Sequence, residues 1–224
     1  MSRLSKVLSA MTIGLGLGLV LAVSPANAQP PSVLDSATTT VGKMLTDPMF
    51  GPSRQILRDA RAVLIVPHLL KGGFIFGAEG GDGVLLQRVG RRWSSPAFYT
   101  IGSASFGLQI GLEEARFVMF IMTDRALRAI EQSKFTFGGE AGLTVITLGA
   151  NAQAATSANL TGDIIVWAAS KGAYGGLTLQ GSVLAPKSDW DAQFYGRPAT
   201  VRQILADQVS NPAATPLRRA LTAM

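Results

Sequence analysis

The sequence predicts an α+β fold: a strongly curved, glycine-rich antiparallel β-sheet or barrel covered by N-terminal, middle and C-terminal helices. Three observations carry this expectation. Two regions of β-type composition, 62–123 and 135–184, alternate with patterns suited to helices. Ten of the 25 glycines fall within 71–115 and ten within 135–200. Glycine at that density inside strands marks bends, bulges or close backbone approach, which suits a curved sheet more than a flat one.

Taken in order, Ser32 followed by Asp35 is a helix-capping signal after Pro30-Pro31. Val33, Ala37, Val41, Met44 and Leu45 then recur on one helical face, with Thr and Ser opposite. That apolar face suits packing on the domain; the alternative, a membrane surface, is opposed by Lys43 being the only basic residue of the helix. Gly51-Pro52-Ser53 breaks the chain, and Ser53 to Ala60 suits a short second helix. Ala62 to Val66 reads as a buried strand ended by Pro67, with Pro67-His68-Leu69 as a turn. Lys71 to Arg92 reads as a hairpin whose turn is Gly80-Gly81-Asp82-Gly83, between Phe74-Ile75-Phe76 and Val84-Leu85-Leu86.

Trp93-Ser94-Ser95-Pro96 turns into a strand at Phe98 to Ile101, and the very apolar Ala115 to Thr123 is expected to be central. Thr123 caps a helix over Asp124 to Gln132 that turns Ala126, Leu127 and Ile130 inward. The second β region comprises Phe135 to Phe137, Leu143 to Leu148, Asp163 to Ser170 and Leu177 to Leu184. A helix over Ala199 to Val209 follows, capped at Thr200 or entered at Pro198. The Pro- and Ala-rich tail from Asn211 is expected to fray.

The N-terminus has the form of a secretory signal peptide over 1–28. Arg3 and Lys6 form a positive region, Ile13 to Val23 an apolar one, and Ala26-Asn27-Ala28 a small-residue cleavage site. Residues 29–224 then form a single domain, periplasmic or secreted. The chain has no Cys, which rules out a lipidated cysteine at the cleavage point, a disulfide and thiol chemistry. Removing Arg3 and Lys6 leaves 18 basic against 14 acidic residues, a net charge of +4. That mild excess favours anionic phospholipid or another envelope lipid, and no block of basic residues suits nucleic acid.

Enzyme signatures are scarce, and no catalytic residue, metal ligand or cofactor is assigned. His68 is the only histidine, so a histidine metal site cannot be built. The glycine run lacks the Lys-Ser or Lys-Thr and the following helix of a phosphate loop, and no G-x-S-x-G occurs around Ser94 and Ser95 or elsewhere. Glu79, Asp82, Glu113 and Glu114 keep a carboxylate hydrolase open as a third reading if the fold brings them together. Lys71, Arg88, Arg91, Arg92, Lys134 and Lys171 lie at strand ends or turns, with Trp93 and Tyr174 nearby in sequence. Cations beside amphipathic aromatics suit phospholipid head groups, and equally suit charges that blunt a sheet edge.

The segments GGFIFGAEGGDGVLLQR (72–88), WSSPAFYTIGSASFGLQIGLE (93–113), FTFGGEAG (135–142) and SKGAYGGLTLQGSVL (170–184) resemble, in order and spacing, the SYLF domain, a lipid-binding module. The resemblance covers roughly Val33 to Gln208. Gly80, Gly81, Asp82 and Gly83 match the family's Gly-Gly-x-Gly segment, Trp93, Ser94 and Pro96 its Trp-Ser-x-Pro, and Lys171, Gly172 and Gly176 its basic-Gly-x-x-x-Gly. It implies a non-enzymatic lipid-binding domain akin to eukaryotic membrane and actin adaptors that bind phosphoinositides, here as a secreted bacterial member. Lys71, Arg88, Arg91, Arg92, Trp93, Lys171 and Tyr174 are the candidate lipid contacts. An extracytoplasmic protein would not meet actin, and an envelope protein-interaction module is the alternative.

Overall fold

The computed structural model describes residues 29–46, 54–73, 76–106, 111–132, 134–139, 143–148, 162–171, 179 and 181–223. The leader expected over 1–28, the break at Gly51-Pro52-Ser53, the first hairpin residues Phe74 and Ile75, and Gly172, Tyr174 and Gly176 lie outside them.

Helices α1, Pro30–Thr46, and α2, Arg54–Asp59, precede a curled nine-stranded sheet. Its strands are β1 Ala62–Gly73, β2 Phe76–Val89, β3 Arg92–Trp93, β4 Ala97–Phe106, β5 Gly111–Ile121, β6 Phe135–Thr136, β7 Val145–Leu148, β8 Ile164–Lys171 and β9 Val183–Pro186. Their order across the sheet is β6-β9-β4-β2-β1-β5-β8-β7, with β3 paired to β2. All pairs are antiparallel except β7 with β8 at one edge. Among the described residues the two edge strands do not pair, so the sheet is an open half-barrel.

Both faces of the sheet are covered, which explains why the central strands are apolar at nearly every position. Val63, Ile65, Val84, Leu86, Val118 and Phe120 point to the face covered by α1, α2, α4 (Ser188–Tyr195) and α6 (Thr215–Thr222). Leu64, Val66, Leu85, Phe117, Met119 and Ile121 point the other way, toward α3 (Asp124–Glu131) and α5 (Val201–Leu205). Helix α1 buries Val33, Leu34, Ala37, Val41 and Met44 on the first face, so its apolar stripe packs on the domain. Ala126, Leu127 and Ile130 of α3 are buried, and Thr123 caps the helix by accepting from Ala126 N.

The glycine hairpin takes a different form from the expected one. Gly80, Gly81, Asp82 and Gly83 are mid-strand in β2, paired with β1 on one side and β4 on the other, and none of the three glycines has a positive φ. The chain reverses between Gly73 and Phe76 instead. Pro67 likewise does not end its strand. β1 continues through it to Gly73, and His68 is a strand residue rather than part of a turn. The register opposite β2 shifts between Ile65 and His68, and opposite β5 between Val66 and Leu69. One extra residue is thus accommodated as a bulge around Pro67, which has no N–H to give to the ladder.

The glycines receive that bulge. A methyl group on Gly83 would lie 2.5 Å from the carbonyl oxygen of Ile65, and one on Gly81 would collide with the carbonyl oxygen of His68. On Gly80 the nearest atom would be Ile101 O at an ordinary 3.8 Å. Two of the three glycines are therefore required by close backbone approach.

The C-terminal region departs further. Helix α4 has no apolar stripe in sequence, since SDWDAQFY buries only Asp191 and Phe194, and it ends at Gly196 with φ 67°. The helix expected over 199–209 stops at Leu205, where Asp207 adopts a left-handed φ of 57°; its Thr200–Gln203 capping box is present. Of the strand expected over 177–184, the described residues show strand only from Val183, after a turn at Gly181 with φ 84°. The tail does not fray: α6 buries Leu217 and Leu221 beside α1.

Gly81→Ala and Gly83→Ala are expected to lose about 1–3 kcal/mol each in urea unfolding, the range for overpacking a filled site. Gly80→Ala should be neutral or slightly stabilising, whereas equal losses at all three positions would contradict the bulge contact.

Candidate functional site

The register divides the candidate lipid contacts between the two ends of the strands. Arg88, Arg91, Arg92 and Trp93 lie where β2 leaves the sheet, just past the Ala62–Gln87 pair. Lys71 is opposite Glu79 and Glu113 toward the other end, and Lys171 is opposite Glu114. Glu79 and Arg88 are nine residues apart on one strand, about 30 Å at 3.3 Å per residue. These residues do not form one surface.

Trp93 is a core residue, 1% exposed. Its indole N–H donates to Leu221 O at 3.1 Å, and its own carbonyl accepts from Arg218 Nε at 2.8 Å. Arg88 lies 4.2 Å over the Trp93 ring and donates to Leu57 O and Ala60 O, capping the C-terminal carbonyls of α2. Arg91 and Arg92 are exposed, on the turn made by Gly90 with φ 60°.

The Trp-Ser-x-Pro segment is a structural junction. Ser94 Oγ accepts from Gln87 N and donates to Ser95 O. Asp207 Oδ1 accepts from both Ser95 N and Ser95 Oγ, while its Oδ2 accepts from Arg218 Nη2 at 3.1 Å. Tyr195 donates its hydroxyl to Pro96 O at 2.6 Å. Asp207 and Arg218 carry no signal in the sequence, because their partners Ser95 and Trp93 lie 112 and 125 residues away. No local pattern announces such pairs.

Glu79 and Asp82 do not converge. Three residues apart on an unbroken stretch of β2, Glu79 and Asp82 face opposite sides of the sheet. Glu79 Oε1 accepts from Ser103 and Ser182 hydroxyls, and Asp82 pairs with Lys187 at 3.0 Å. Lys187 Nζ in turn sits 3.3 Å over the Trp190 ring. His68 Nδ1 hydrogen-bonds Glu114 Oε1. Among the described residues, no group of three or more His, Asp or Glu is placed to hold a metal.

Two further carboxyls have displaced acidity. Asp163 accepts from Thr144 N, Thr123 Oγ1 and Arg125 Nη2, and these bonds, led by the first, hold it below the usual carboxylate range. Asp191 is fully buried near Phe98, where Oδ1 accepts from Phe98 N at 2.9 Å and Oδ2 has no partner. Desolvation pushes it up to about 7, against the lowering effect of the Phe98 bond.

A family model described as "Las17-binding protein actin regulator", Ysc84, matches residues 102–224. The chain belongs to the Ysc84 family. This is the SYLF-domain family that the four glycine- and aromatic-rich segments indicated. The chain is 31% identical over 205 residues to Protein YSC84 of Saccharomyces cerevisiae, covering 85% of this chain and 44% of that protein. It is 32% identical over 206 residues to an SH3 domain-containing protein of Schizosaccharomyces pombe, 85% and 47% of the two chains. An SH3 domain-containing YSC84-like protein of Xenopus laevis is 32% identical over 136 residues, 60% and 41%. The chain thus spans less than half the length of these relatives. Two of these names describe SH3 domain-containing proteins, the family description names an actin regulator, and none names an enzyme.

Asp191 makes stability pH-dependent with a definite sign. Its folded pKa is raised above the unfolded value near 3.8, so the folded state binds more protons in between, and stability falls as pH rises from about 4 through about 7. Asp191→Asn keeps an acceptor for Phe98 N and removes the ionisation. Thermal unfolding should show the wild type losing roughly 2–4 kcal/mol across that window and the variant losing much less.

Proposed function

We propose that this chain is a non-enzymatic lipid-binding domain acting outside the cytoplasm on phospholipid of an envelope membrane. The observation that carries the reading is the pair Arg91 and Arg92, exposed on the β2–β3 turn with no carboxylate partner among the described residues, on a base locked by the buried Trp93. Rigidly presented guanidinium groups suit phosphate, which they grip through two parallel N–H bonds. The leader-like segment supports the location, and the family resemblance supports the lipid class. The carboxylates point away from hydrolysis, since Glu79 and Asp82 are buried on opposite faces and each is held by its own partner. Among the described residues no helix is long and apolar enough to cross a membrane. The protein would meet its lipid at a surface.

A protein partner is the second reading, favoured by the family description as Las17-binding. An envelope partner would take that place for an extracytoplasmic chain.

The mature chain, 29–224, is expected to co-sediment with vesicles of phosphatidylglycerol and phosphatidylcholine, and not with phosphatidylcholine alone. Retention should fall as salt rises, because the screening length shrinks from about 10 Å at 0.1 M to about 3 Å at 1 M. No retention on anionic vesicles at low salt, together with no lipid in mass spectra of the purified protein, would refute the lipid reading. Specific recovery of an envelope protein by the same bait would then favour the second.

A further inference from the structure

The arginines of this chain are distributed unevenly, and the tertiary structure gathers them. Where β1 begins and β2 ends, α2 is tied to the sheet by Arg88, and α6 is tied to it through Trp93 and Arg218. The start of α3 reaches the same end, where Arg61 N donates to Ile121 O and the Arg61 side chain pairs with Asp124. These contacts place Arg54, Arg58, Arg91, Arg92 and Arg219 around a common rim, all exposed. Among the described residues none of the five has a carboxylate within ion-pair distance. Arg61, Arg88, Arg125 and Arg218 lie at the same end, each engaged by a carboxylate or carbonyl partner.

The charge balance is lopsided. Nine arginines at this end face four aspartates, Asp59, Asp124, Asp163 and Asp207, an excess of +5. The other described residues are close to neutral, with nine basic and eight acidic residues. Lys43, in the last turn of α1, lies beside the rim, since Arg54 Nη2 donates to Leu45 O at 3.2 Å, and the other rim charges are guanidinium groups. A planar guanidinium grips phosphate in a bidentate manner where an ammonium acts as a point charge.

We propose that this arginine end is the docking face of the protein, meeting an anionic bilayer end-on with the guanidinium groups of α2, the β2–β3 turn and α6 on lipid phosphates. The inference rests on the lipid reading above and adds the surface and the orientation. Charge complementarity names the occupant, since a bilayer rich in anionic lipid presents many phosphates in one plane to a rim of separate arginines. Helix α1 keeps its place on the sheet in this mode. Its apolar stripe is already buried, and its exposed side offers one lysine and one aspartate.

The test compares two charge-matched variants of the mature chain on phosphatidylglycerol–phosphatidylcholine vesicles. Arg91→Gln with Arg92→Gln removes two rim charges; Lys134→Gln with Arg197→Gln removes two exposed charges elsewhere. All four side chains are exposed, so folding should be retained, and matching circular dichroism and thermal midpoints would verify this. The rim variant should lose on the order of tenfold in partitioning, as expected for two basic groups near an anionic surface, and the control less than twofold. Adding Arg58→Gln and Arg219→Gln to the rim variant should weaken it further. Amide exchange over 31–46 should stay slow on vesicles.

Equal losses in both variants would mean that net charge alone drives binding, and would overturn the rim. Wild-type binding unaffected by any rim substitution would also overturn it and leave the lipid reading standing. Faster exchange in α1 on vesicles would overturn the end-on orientation. If wild type ignores vesicles yet is retained by soluble polyphosphate in a rim-dependent way, the bilayer is the wrong occupant. Failure of wild type on both would remove the lipid reading and this inference together.

Discussion

The contact between the β1 bulge and the glycines of β2 is the constraint on which the rest of the structure depends. Pro67 withholds a backbone donor in the middle of a strand flanked on both sides, and β1 absorbs the fault as one extra residue. The carbonyls of Ile65 and His68 are thereby driven toward β2, at a place where any side chain would be in the way. Gly81 and Gly83 leave that place empty, and the sheet bends there. Asp82, between them, points to the opposite face, where it holds Lys187 at the entry to α4. A local adjustment of two strands therefore also fixes where the C-terminal helices begin.

Those helices complete the covered face through long-range polar bonds. Trp93 is packed on α6 and held there by its indole N–H and its carbonyl, while Asp207 bridges Ser95 to Arg218. Asp207 takes a left-handed φ to do so, a conformation that costs a non-glycine residue some strain and is retained when the surroundings over-determine it. The outcome for function is indirect: by pulling α6 and α2 onto the same strand end, these bonds bring dispersed arginines into one neighbourhood.

Among the described residues the positive charge thus gathers at one end, with little net charge over the rest. The acidic residues that could have suggested catalysis are spent on structure, with Glu79 under two serine hydroxyls and Asp82 under a lysine that stacks on Trp190. Asp191 is the exception. Its Oδ2 is buried with no hydrogen-bond partner, and ionisation there is resisted. Its contribution to stability falls away as pH rises from about 4 through about 7, and the residue is fully buried.

The sequence by itself determined the class of fold, the family and several elements, because each rests on local or periodic information. The stripe of α1, the inward residues of α3 with its Thr123 cap, and the Thr200–Gln203 box are set within a few residues of chain. Glycine density correctly indicated a curved sheet. The location of the turn was misread, since glycine serves positive φ and close approach alike, and composition cannot distinguish them. Helix α4 was hidden because its buried surface is one aspartate and one phenylalanine, and α6 because its proline-rich start resembles a loose tail. Only the tertiary structure decided that Trp93 is core, that Glu79 and Asp82 face apart, and that Lys71 lies far from Arg88 while Arg58 and Arg219 lie near it. Each of these depends on where strands form and pair or on contacts spanning from 28 to 128 residues, and those arise from packing the whole sheet at once.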